Sequence, residues 1–557
     1  MSEQKNEHRH NFLYVLREIE SKYGDLPALS FVEEEPITYH QLGTKVRALS
    51  AALKKLDIHK GDRVAVLGSN SPQWGIAYLC IVIMGSIVVP ILPDFSEEEI
   101  TNVLSHSGAK AIIVSNGLKQ KIRKDLLPDL KCVIDLENFT LDNCSEVIYD
   151  EHILFDPDEE PAEEDVAAIL YTSGTTGKSK GVMLTHKNIC WTARQCLTIE
   201  PISTEYRMLS VLPLAHTYEN TIGFMLPLIG GACIYYLPKK PTPQVLLPAL
   251  ASVRPVAMLT VPLIIEKIYK NKIKPAFSKN ALLRSIYKTT VGRKLLHRMA
   301  GKSLMKTFGG ELRFFGIGGA KINPEVEAFL MEARFPIAIG YGLTETSPLL
   351  AGSNPRNHRL QSTGFPMEGV TLKIHNPDPE TGEGEIWAKG PNVMKGYYKE
   401  PEITAEVLTP DGWFRTGDLG VFDKDGYLYI KGRSKNVIVG PTGENIYPED
   451  IESVINNYPH VLESVVMQED GKLIALVHID TEAIRKKLEE AGEEIRQIES
   501  KIQEHLRQIH IDINQRISRN ARLQKLIHQA EPFQKTATQK IKRFLYHKDR
   551  QQPPQTT

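Results

Sequence analysis

Short apolar segments alternate with longer helical patterns over roughly the first 360 residues of this chain. The segments are RVAVLGS at Arg63, KAIIVS at Lys110, RMLSVLP at Arg207, VAMLT at Val256 and LRFFGIGG at Leu312. Segments that are apolar throughout are typical of parallel strands whose two faces are both covered by helices. The sequence therefore predicts an α/β protein built on largely buried, parallel-rich sheets.

The pattern of residues along the sequence changes after about residue 360. Glycine-punctuated stretches such as GVTLKIHNPDPETGEGEIWAKG indicate short antiparallel strands joined by turns. From Ile484 to Ile517 apolar residues recur every three or four positions, which predicts a long amphipathic helix or a helical pair, with Gly492 as its weakest point. We expect this helix to pack on its own domain, and a coiled coil with a partner is the alternative.

Two longer apolar runs, residues 75–92 and 221–237, approach the length of a membrane-spanning helix. Gly85 and Pro90 interrupt the first run, and the pair Gly230 and Gly231 interrupts the second. Breakers at these places favour a buried helix that leads into a buried strand. We therefore expect no membrane span in either run.

The overall composition excludes several classes of protein. The 557 residues are 41% hydrophobic and 24% charged, as in a globular protein of two or more domains, and the formal net charge of −1 argues against a general nucleic-acid binder. Six cysteines lack CxxC or CxxH spacing, so neither a zinc site nor a disulfide framework is indicated. The polar start MSEQKNEHRH is unlike a secretory signal, which leads us to expect a cytoplasmic protein.

The segment LYTSGTTGKSKGVMLTH combines glycines, hydroxyl residues and lysines, which together suit phosphate oxygens. It follows an apolar strand candidate, VAAIL, and precedes a helix that Thr185 could cap, so strand, loop and helix predict an anion site. The P-loop of nucleoside triphosphatases is one alternative, but Thr172 stands where its first glycine is required. A Ser/Thr/Gly linker is the structural alternative.

Six motifs appear in order along the chain: YTSGTTGKSKGVMLTH, PLAHTYEN, GYGLTETSP, GWFRTGDLG, KGRSKNVIVGPTGENIYPEDIE and KTATQKIKR. Together they resemble the adenylate-forming superfamily, and most of all its long-chain fatty acyl-CoA ligases. The resemblance implies a large N-terminal domain, residues 1–433, of parallel-rich α/β sheets with a small β-barrel-like subdomain that binds nucleotide and acyl group. It also implies a small mobile α+β C-terminal domain, residues 434–557, which carries the adenylation lysine.

The same resemblance implies an activity. A fatty, long-chain carboxylate is joined to the α-phosphate of ATP with Mg²⁺, pyrophosphate leaves, and the thiol of coenzyme A then displaces AMP. A fatty acyl-AMP ligase that loads a carrier protein is one alternative. A noncatalytic acyl- or nucleotide-binding protein, which would have lost Lys540 or Glu345, is another.

Residue roles follow from the resemblance, position by position. The residues that hold the phosphates of ATP are Thr172, Ser173, Gly174, Thr175, Thr176, Gly177 and Lys180. The residues that contact adenine and ribose are Gly318, Gly319, Ala320, Tyr341, Gly342, Asp418 and Arg433. The catalytic residues are Lys540, His216 and Thr344, the ligand of Mg²⁺ is Glu345, the hinge is Lys435, and Gly443 lines the tunnel for coenzyme A.

These roles agree with the chemistry of the side chains. A glutamate supplies the hard oxygen that Mg²⁺ prefers, and the two oxygens of an aspartate can accept both ribose hydroxyls. A lysine that reaches the reacting phosphate stabilises charge in the transition state. Many relatives have a glycine immediately before this lysine, whereas this chain has Gln539. The difference affects the geometry of the loop that carries the lysine.

The partners expected from the sequence are small molecules: the carboxylate, ATP and coenzyme A, with no nucleic acid. Residues 515–550 hold ten lysines and arginines against two acidic residues. This basic segment favours peripheral contact with the inner face of a membrane. A homodimer is also compatible with the sequence.

Overall fold

The computed structural model describes residues 9–142, 155, 157, 160–173, 179–440, 445–491, 498–517, 521–536 and 541–546. Two large mixed sheets and their helices form the first part of the chain, and an antiparallel subdomain and a C-terminal α+β domain follow. The predicted fold class is confirmed.

The helices and strands of the first part begin and end as follows. The helices are α1 (Phe12–Tyr23), α2 (Tyr39–Lys55), α3 (Pro72–Ile83), α4 (Glu97–Ser107), α5 (His186–Ile199), α6 (Leu226–Gly230), α7 (Pro243–Val253), α8 (Pro262–Ile268), α9 (Lys274–Ala276), α10 (Ala281–Lys288), α11 (Thr290–Thr307) and α12 (Pro324–Glu332). The strands are β1 (Pro27–Phe31), β2 (Ile37–Thr38), β3 (Arg63–Leu67), β4 (Ile87–Ile91), β5 (Ala111–Val114), β6 (Cys132–Asp135), β7 (Val166–Ser173), β8 (Ser179–Thr185), β9 (Arg207–Ser210), β10 (Cys233–Tyr236), β11 (Ala257–Thr260), β12 (Phe314–Ile317), β13 (Ile337–Gly342), β14 (Leu349–Gly352) and β15 (Phe365–Pro366).

The two large sheets are parallel at their centres and antiparallel at their edges. In the nine-stranded sheet, strands run in the order β15-β14-β13-β12-β11-β9-β10-β1-β2, and the pairs from β13 to β1 are parallel. In the seven-stranded sheet the order is β18-β8-β7-β4-β3-β5-β6, where β18 (Gly396–Tyr397) and β8 are antiparallel additions to a parallel core. All five apolar segments predicted as strands are strands: β3, β5, β9, β11 and β12.

Helix α3 explains why residues 75–92 are so apolar. It contacts β1 of the nine-stranded sheet and β3 and β4 of the seven-stranded sheet, so it lies between the two. Eleven of its twelve residues are buried, which requires an apolar side chain on every face of the helix. The run continues into buried β4, and residues 221–237 likewise lead through α6 into β10, as predicted. Among the described residues, no helix has both the length and the apolar character needed to span a bilayer.

The glycine-rich segment differs from its prediction in one respect. The strand before it is β7 and Thr185 does cap α5, where its side chain accepts a hydrogen bond from the backbone N–H of Asn188. However, β8 intervenes between loop and helix, and Ser173 pairs with Ser179 across an antiparallel hairpin. The helix N-terminus at Thr185 is therefore separated from the glycine-rich loop by β8, because the chain pairs back on β7 before the helix begins.

The small β subdomain and the C-terminal domain complete the fold. The subdomain is a four-stranded antiparallel sheet in the order β16-β17-β19-β20, and its elements are β16 (Thr371–His375), β17 (Gly384–Lys389), α13 (Pro401–Val407), β19 (Phe414–Phe422) and β20 (Leu428–Arg433). The C-terminal elements are β21 (Ile438–Val439), β22 (Asn445–Ile446), α14 (Pro448–Ile455), β23 (Val461–Glu469), β24 (Lys472–Ile479), α15 (Thr481–Ala491), α16 (Ile498–Arg516) and β25 (Lys525–His528).

The C-terminal domain has its own apolar core. The buried residues of α16, Ile502, Leu506, Ile509 and Ile513, follow the predicted helical spacing and belong to a cluster drawn only from residues 438–523. The predicted helix is thus a pair, α15 and α16, and α16 packs on its own domain as expected. Residue Gly492 lies outside the described residues.

Candidate active site

A large cleft lies where the two sheets, the β subdomain and the C-terminal domain meet. Its walls include residues from the loops after β9, β12 and β13, from β19 and β20, and from α14. Its volume of about 3370 Å³ exceeds the roughly 300–1,000 Å³ of a site for one small ligand. The cleft therefore has room for more than one substrate.

Most of the site residues predicted from sequence line this one cleft. They are Thr172, Lys180, His216, Gly318, Gly319, Ala320, Tyr341, Gly342, Thr344, Glu345, Asp418, Arg433 and Lys435. The backbone of Ser173 belongs to β7, and its side chain lies outside the described part of the structure. Gly174, Thr175, Thr176, Gly177, Gly443 and Lys540 lie outside the described residues.

Asp418, on β19, is the best-defined polar group of the cleft. The hydroxyl of Tyr341 donates to its Oδ2 at 2.7 Å, and Nε of Arg433 lies 2.8 Å from its Oδ1. The Arg433 partner follows from strand register, because Asp418 and Arg433 are opposite each other on β19 and β20. Each carboxylate oxygen thus has a donor from the protein. The buried carboxylate is therefore held in one orientation.

The hydroxyl of Tyr341 acts as a neutral donor in this arrangement. Burial raises the pKa of Tyr341 well above its usual value, and the neighbouring Asp418 carboxylate raises it further. The neighbouring position, Gly342, has to be a glycine, since a Cβ there would lie 1.7 Å from the carbonyl oxygen of Pro348. The backbone after β13 therefore folds back tightly, and this turn presents Thr344 and Glu345 to the cleft.

Glu345 offers one carboxylate at the other end of the polar wall. The hydroxyl of Tyr397 donates to its Oε1 at 2.8 Å, and Nζ of Lys180 lies 5.2 Å from the centre of the Tyr397 ring. Burial, and then the Glu345 carboxylate, raise the pKa of Tyr397, so it remains a neutral donor. Among the described residues, no group of three or more His, Cys, Asp or Glu side chains forms a metal cage. One carboxylate fits Mg²⁺, which takes its other ligands from substrate phosphates and water.

Sequence reasoning missed Tyr397 and Tyr218, since aromatic residues outside the recognised positions of a motif give no spacing signal. Tyr218 borders the cleft and also a second, apolar cavity behind it. The Tyr218 ring packs on the strand end at Gly318, where a Cβ would lie 3.1 Å from the ring. The second cavity is lined by apolar residues that include Met208, Ile222 and Leu259. A polar cleft and an apolar cavity thus meet at Tyr218.

Glu219, in the motif PLAHTYEN, is a second residue that the sequence did not single out. It is buried, the hydroxyl of Ser210 donates to its Oε1 at 2.5 Å, and Asn70 Nδ2 donates to that hydroxyl at 2.9 Å. Burial raises the pKa of Glu219 to about 8, although the hydrogen bond from Ser210 opposes the shift. This carboxyl is therefore protonated at neutral pH. Its position three residues after His216 was the available signal.

The raised pKa of Glu219 gives a pH dependence of stability. The folded protein keeps a proton that the unfolded chain, with a pKa of 4.5, has released, so this stabilisation is lost as the pH rises through about 8. We expect the wild type to lose about 2 kcal/mol of unfolding free energy relative to Glu219→Gln between roughly pH 6 and pH 9. Urea unfolding of both proteins across this range measures the difference. Parallel pH profiles would contradict it.

Contacts between the C-terminal domain and the rest of the chain are polar. Nζ of Lys270 donates to the carbonyl oxygens of Asn456 and Val461, both at 2.7 Å, and Lys321 pairs with Asp450 at 2.7 Å. Burial, and then the nearby charge of Lys274, lower the pKa of Lys270 to about 8. These contacts close one side of the cleft.

The site and the fold agree with comparisons to known proteins. The model of the AMP-binding enzyme family matches residues 16–398, and the chain belongs to that family. Its fold is that of the adenylate-forming enzymes. The anthranilate CoA ligase AuaEII in complex with anthranoyl-AMP superposes with a TM-score of 0.78 at 21% identity, over 98% of each chain. ATP-bound MatB from Rhodopseudomonas palustris superposes with a TM-score of 0.76 at 23% identity, over 96% of this chain and 98% of MatB.

Three relatives found by sequence comparison are all named long-chain-fatty-acid–CoA ligases. The chain is 30% identical to the long-chain-fatty-acid–CoA ligase ACSBG2 of Gallus gallus, over 83% of this chain and 66% of that protein. It is 30% identical to ACSBG1 of Mus musculus, over 82% of this chain and 69% of that protein. It is 29% identical to FadD15 of Mycobacterium tuberculosis, over 80% of this chain and 78% of that protein. The chain thus spans about two thirds of the length of the two vertebrate relatives.

Proposed function

We propose that this enzyme activates a fatty, long-chain carboxylate with ATP and then forms the thioester with coenzyme A. The observation that carries the proposal is the cleft that holds Asp418 and Glu345, whose volume of about 3370 Å³ has room for a nucleotide and an acyl group together. At Tyr218 this cleft borders an apolar cavity of about 50 Å³, which suits part of an apolar tail. The names of the sequence relatives, all long-chain-fatty-acid–CoA ligases, support the same substrate class.

The proposed chemistry has two steps. A carboxylate oxygen attacks the α-phosphorus of ATP, the bond from that phosphorus to the bridging oxygen breaks, and pyrophosphate leaves. The sulfur of coenzyme A, having lost its proton, then attacks the acyl carbon, and the bond to AMP breaks. In the first step two anions approach each other, so positive charge and hydrogen-bond donors around the phosphates lower the barrier.

Each predicted residue has a part in this scheme. Asp418 accepts the ribose hydroxyls and is held for this purpose by Tyr341 and Arg433. Bound at Glu345, Mg²⁺ supplies charge neutralisation to the phosphates. The sequence assigns Lys540 to the reacting phosphate, together with Thr344 and His216. Residues 172–177 and Lys180 are assigned to the leaving pyrophosphate.

The domain boundary, the hinge and the acceptor tunnel belong to the same proposal. We divide the chain at 433/434, because β20 ends at Arg433 and the separate C-terminal apolar core begins at Ile438. Lys435 lies in the short turn between the two and is the proposed hinge. Gly443 is the proposed wall of the tunnel for coenzyme A.

The proposed cellular setting is the cytoplasm, with peripheral contact at the inner face of a membrane, and the proposed assembly is a homodimer. Sedimentation velocity of the purified protein measures the assembly state. A single species at the monomer mass would remove the dimer.

Exchange of labelled pyrophosphate into ATP tests the proposed first step. We expect exchange that depends on the added carboxylate and rises from acetate to oleate. Thioester formation with coenzyme A, compared with acylation of a carrier protein, then separates the proposed ligase from a fatty acyl-AMP ligase. The absence of exchange with every carboxylate would favour a noncatalytic binding protein.

The apolar cavity predicts a chain-length variant. Gly352 lines the cavity, and a Cβ at this position would lie 3.1 Å from Cδ1 of Ile199. Gly352→Val is therefore expected to lower kcat/KM for oleate at least about tenfold relative to octanoate. Gly117→Val is the matched control, because a Cβ at Gly117 meets nothing within 4 Å. Equal losses with every chain length would show that Gly352 does not border the acyl site.

A further inference from the structure

A strongly basic stretch lies outside the cleft, on α10, α11 and the helical turns before them. Between residues 267 and 307 the chain carries twelve lysines and arginines and no aspartate or glutamate. The whole chain has a formal net charge of −1, so the remainder of the molecule is net negative. Positive charge is thus concentrated in one part of the protein.

The outward side of α11 combines this charge with exposed apolar side chains. Val291, Leu295 and Met299 are 81%, 57% and 60% exposed. Lys294, Arg298, Lys302 and Lys306 are exposed between and beyond them, at a constant spacing of four residues along the helix. Leu282 of α10 is 69% exposed as well. We call these eight residues the α10–α11 face.

The opposite side of α11 fixes the orientation of this face. His297 is buried, and its ring packs 5.0 Å from the Phe329 ring of α12. Arg293 forms an ion pair with Glu332 at 2.8 Å. In contrast, Lys294, Arg298, Lys302 and Lys306 have no ion-pair partner among the described residues. The helix is anchored on its inner side, and its outer side carries uncompensated cations.

We propose that the α10–α11 face docks on an anionic lipid surface. Lysine and arginine attract anionic headgroups, and the apolar side chains between them can enter the boundary between headgroup and acyl chain. A nucleic acid would match the charge but offers no apolar layer to the exposed side chains of α11, whereas a bilayer offers an anionic surface and an apolar interior together. The combination of charge and apolar area selects the bilayer.

The described part of the basic C-terminal segment offers less free charge. Lys525 pairs with Glu469, Lys535 with Glu463, and Arg543 with Glu452. Since these cations are already compensated within the protein, the α10–α11 face is the stronger candidate for lipid contact.

The segment that leads into α10 borders the cleft. Leu263, Lys267, Lys274 and Ser278, which precede α10 in the chain, line the cleft. If the proposed function holds, this segment connects the α10–α11 face to the site that takes the carboxylate, but the docking itself does not depend on that function.

Flotation of the full-length protein with vesicles tests the proposal. We expect binding to phosphatidylcholine vesicles that contain a third of phosphatidylglycerol, little binding to phosphatidylcholine alone, and weakening with added salt. The triple variant Lys294→Glu, Arg298→Glu, Lys302→Glu is expected to lower partitioning on the order of a hundredfold. The double variant Leu295→Gln, Met299→Gln is expected to lower it about tenfold.

A matched triple variant distinguishes the loss of charge on this face from a general change in the net charge of the protein. Lys424→Glu, Lys486→Glu, Arg507→Glu makes the same charge change at exposed positions on other elements, and its partitioning is expected to stay within about threefold of wild type. Thermal melting and pyrophosphate exchange check that each variant is folded. Equal losses in both triples would overturn the proposal. Failure of the wild type to bind anionic vesicles would also overturn it, whether or not it binds RNA or an acidic protein and whether or not exchange persists.

Discussion

Replacement of Glu345 by alanine is expected to lower carboxylate-dependent pyrophosphate exchange by about 10²–10³-fold. The reason is electrostatic: Glu345 is the carboxylate proposed to hold Mg²⁺ against the phosphates, and loss of one preorganised charge contact in a transition state has effects of this size. The loss should be larger at low than at high Mg²⁺ concentration, because excess metal partly compensates for a weakened site.

Two further variants show whether the loss of pyrophosphate exchange is specific to the carboxylate proposed to hold Mg²⁺. Glu406→Ala removes an exposed carboxylate from the same cleft and is expected to leave exchange nearly unchanged. Tyr397→Phe removes only the hydroxyl that donates to Glu345 at 2.8 Å and is expected to cost about tenfold or less. If Glu345→Ala retained wild-type exchange at low Mg²⁺, the assignment of Glu345 would be wrong.

Lys540→Ala is expected to abolish the first half-reaction and to spare the second. The motif KTATQKIKR assigns this lysine to the phosphate during adenylation, so exchange should fall by about 10²-fold or more. Once the acyl-adenylate exists, that charge is no longer needed. Conversion of a synthetic acyl-adenylate to the thioester should therefore stay within about threefold of wild type.

The neighbouring Lys542→Ala is the control for the Lys540 variant. Lys542 lies two residues further along the same basic segment and lines the cleft. We expect it to affect exchange by no more than a few-fold. Parallel loss of both half-reactions in Lys540→Ala would indicate a folding defect or a different role.

The local pattern of apolar and helix-breaking residues predicted the α/β architecture well. Uniformly apolar runs became the central strands, and the breakers at Gly85 and Gly231 mark the helix-to-strand transitions of the two longest runs. The pattern of apolar residues did not predict the hairpin of β7 and β8, where the chain turns back and pairs with the preceding strand. Tertiary pairing of this kind leaves only a weak signal in a short glycine-rich segment.

The sequence motifs predicted the site residues that belong to them, but not the side chains that contact those residues in the fold. Motifs named Asp418 and Glu345, whereas Tyr397, which lies 52 residues beyond Glu345, contacts it only through the fold. The protonated state of Glu219 depends on burial among distant segments, which spacing along the chain does not report. The apolar cavity behind Tyr218 likewise gathers residues from several strands and helices.

The polar contacts between the C-terminal domain and the rest of the chain have a thermodynamic consequence. The apolar core of that domain is its own, and its named contacts with the large part are hydrogen bonds and ion pairs at Lys270 and Lys321. A change in its orientation would exchange these contacts for water and expose little apolar surface. Heat-capacity changes scale with exposed apolar surface, so the enthalpy difference between two such orientations should itself change little with temperature.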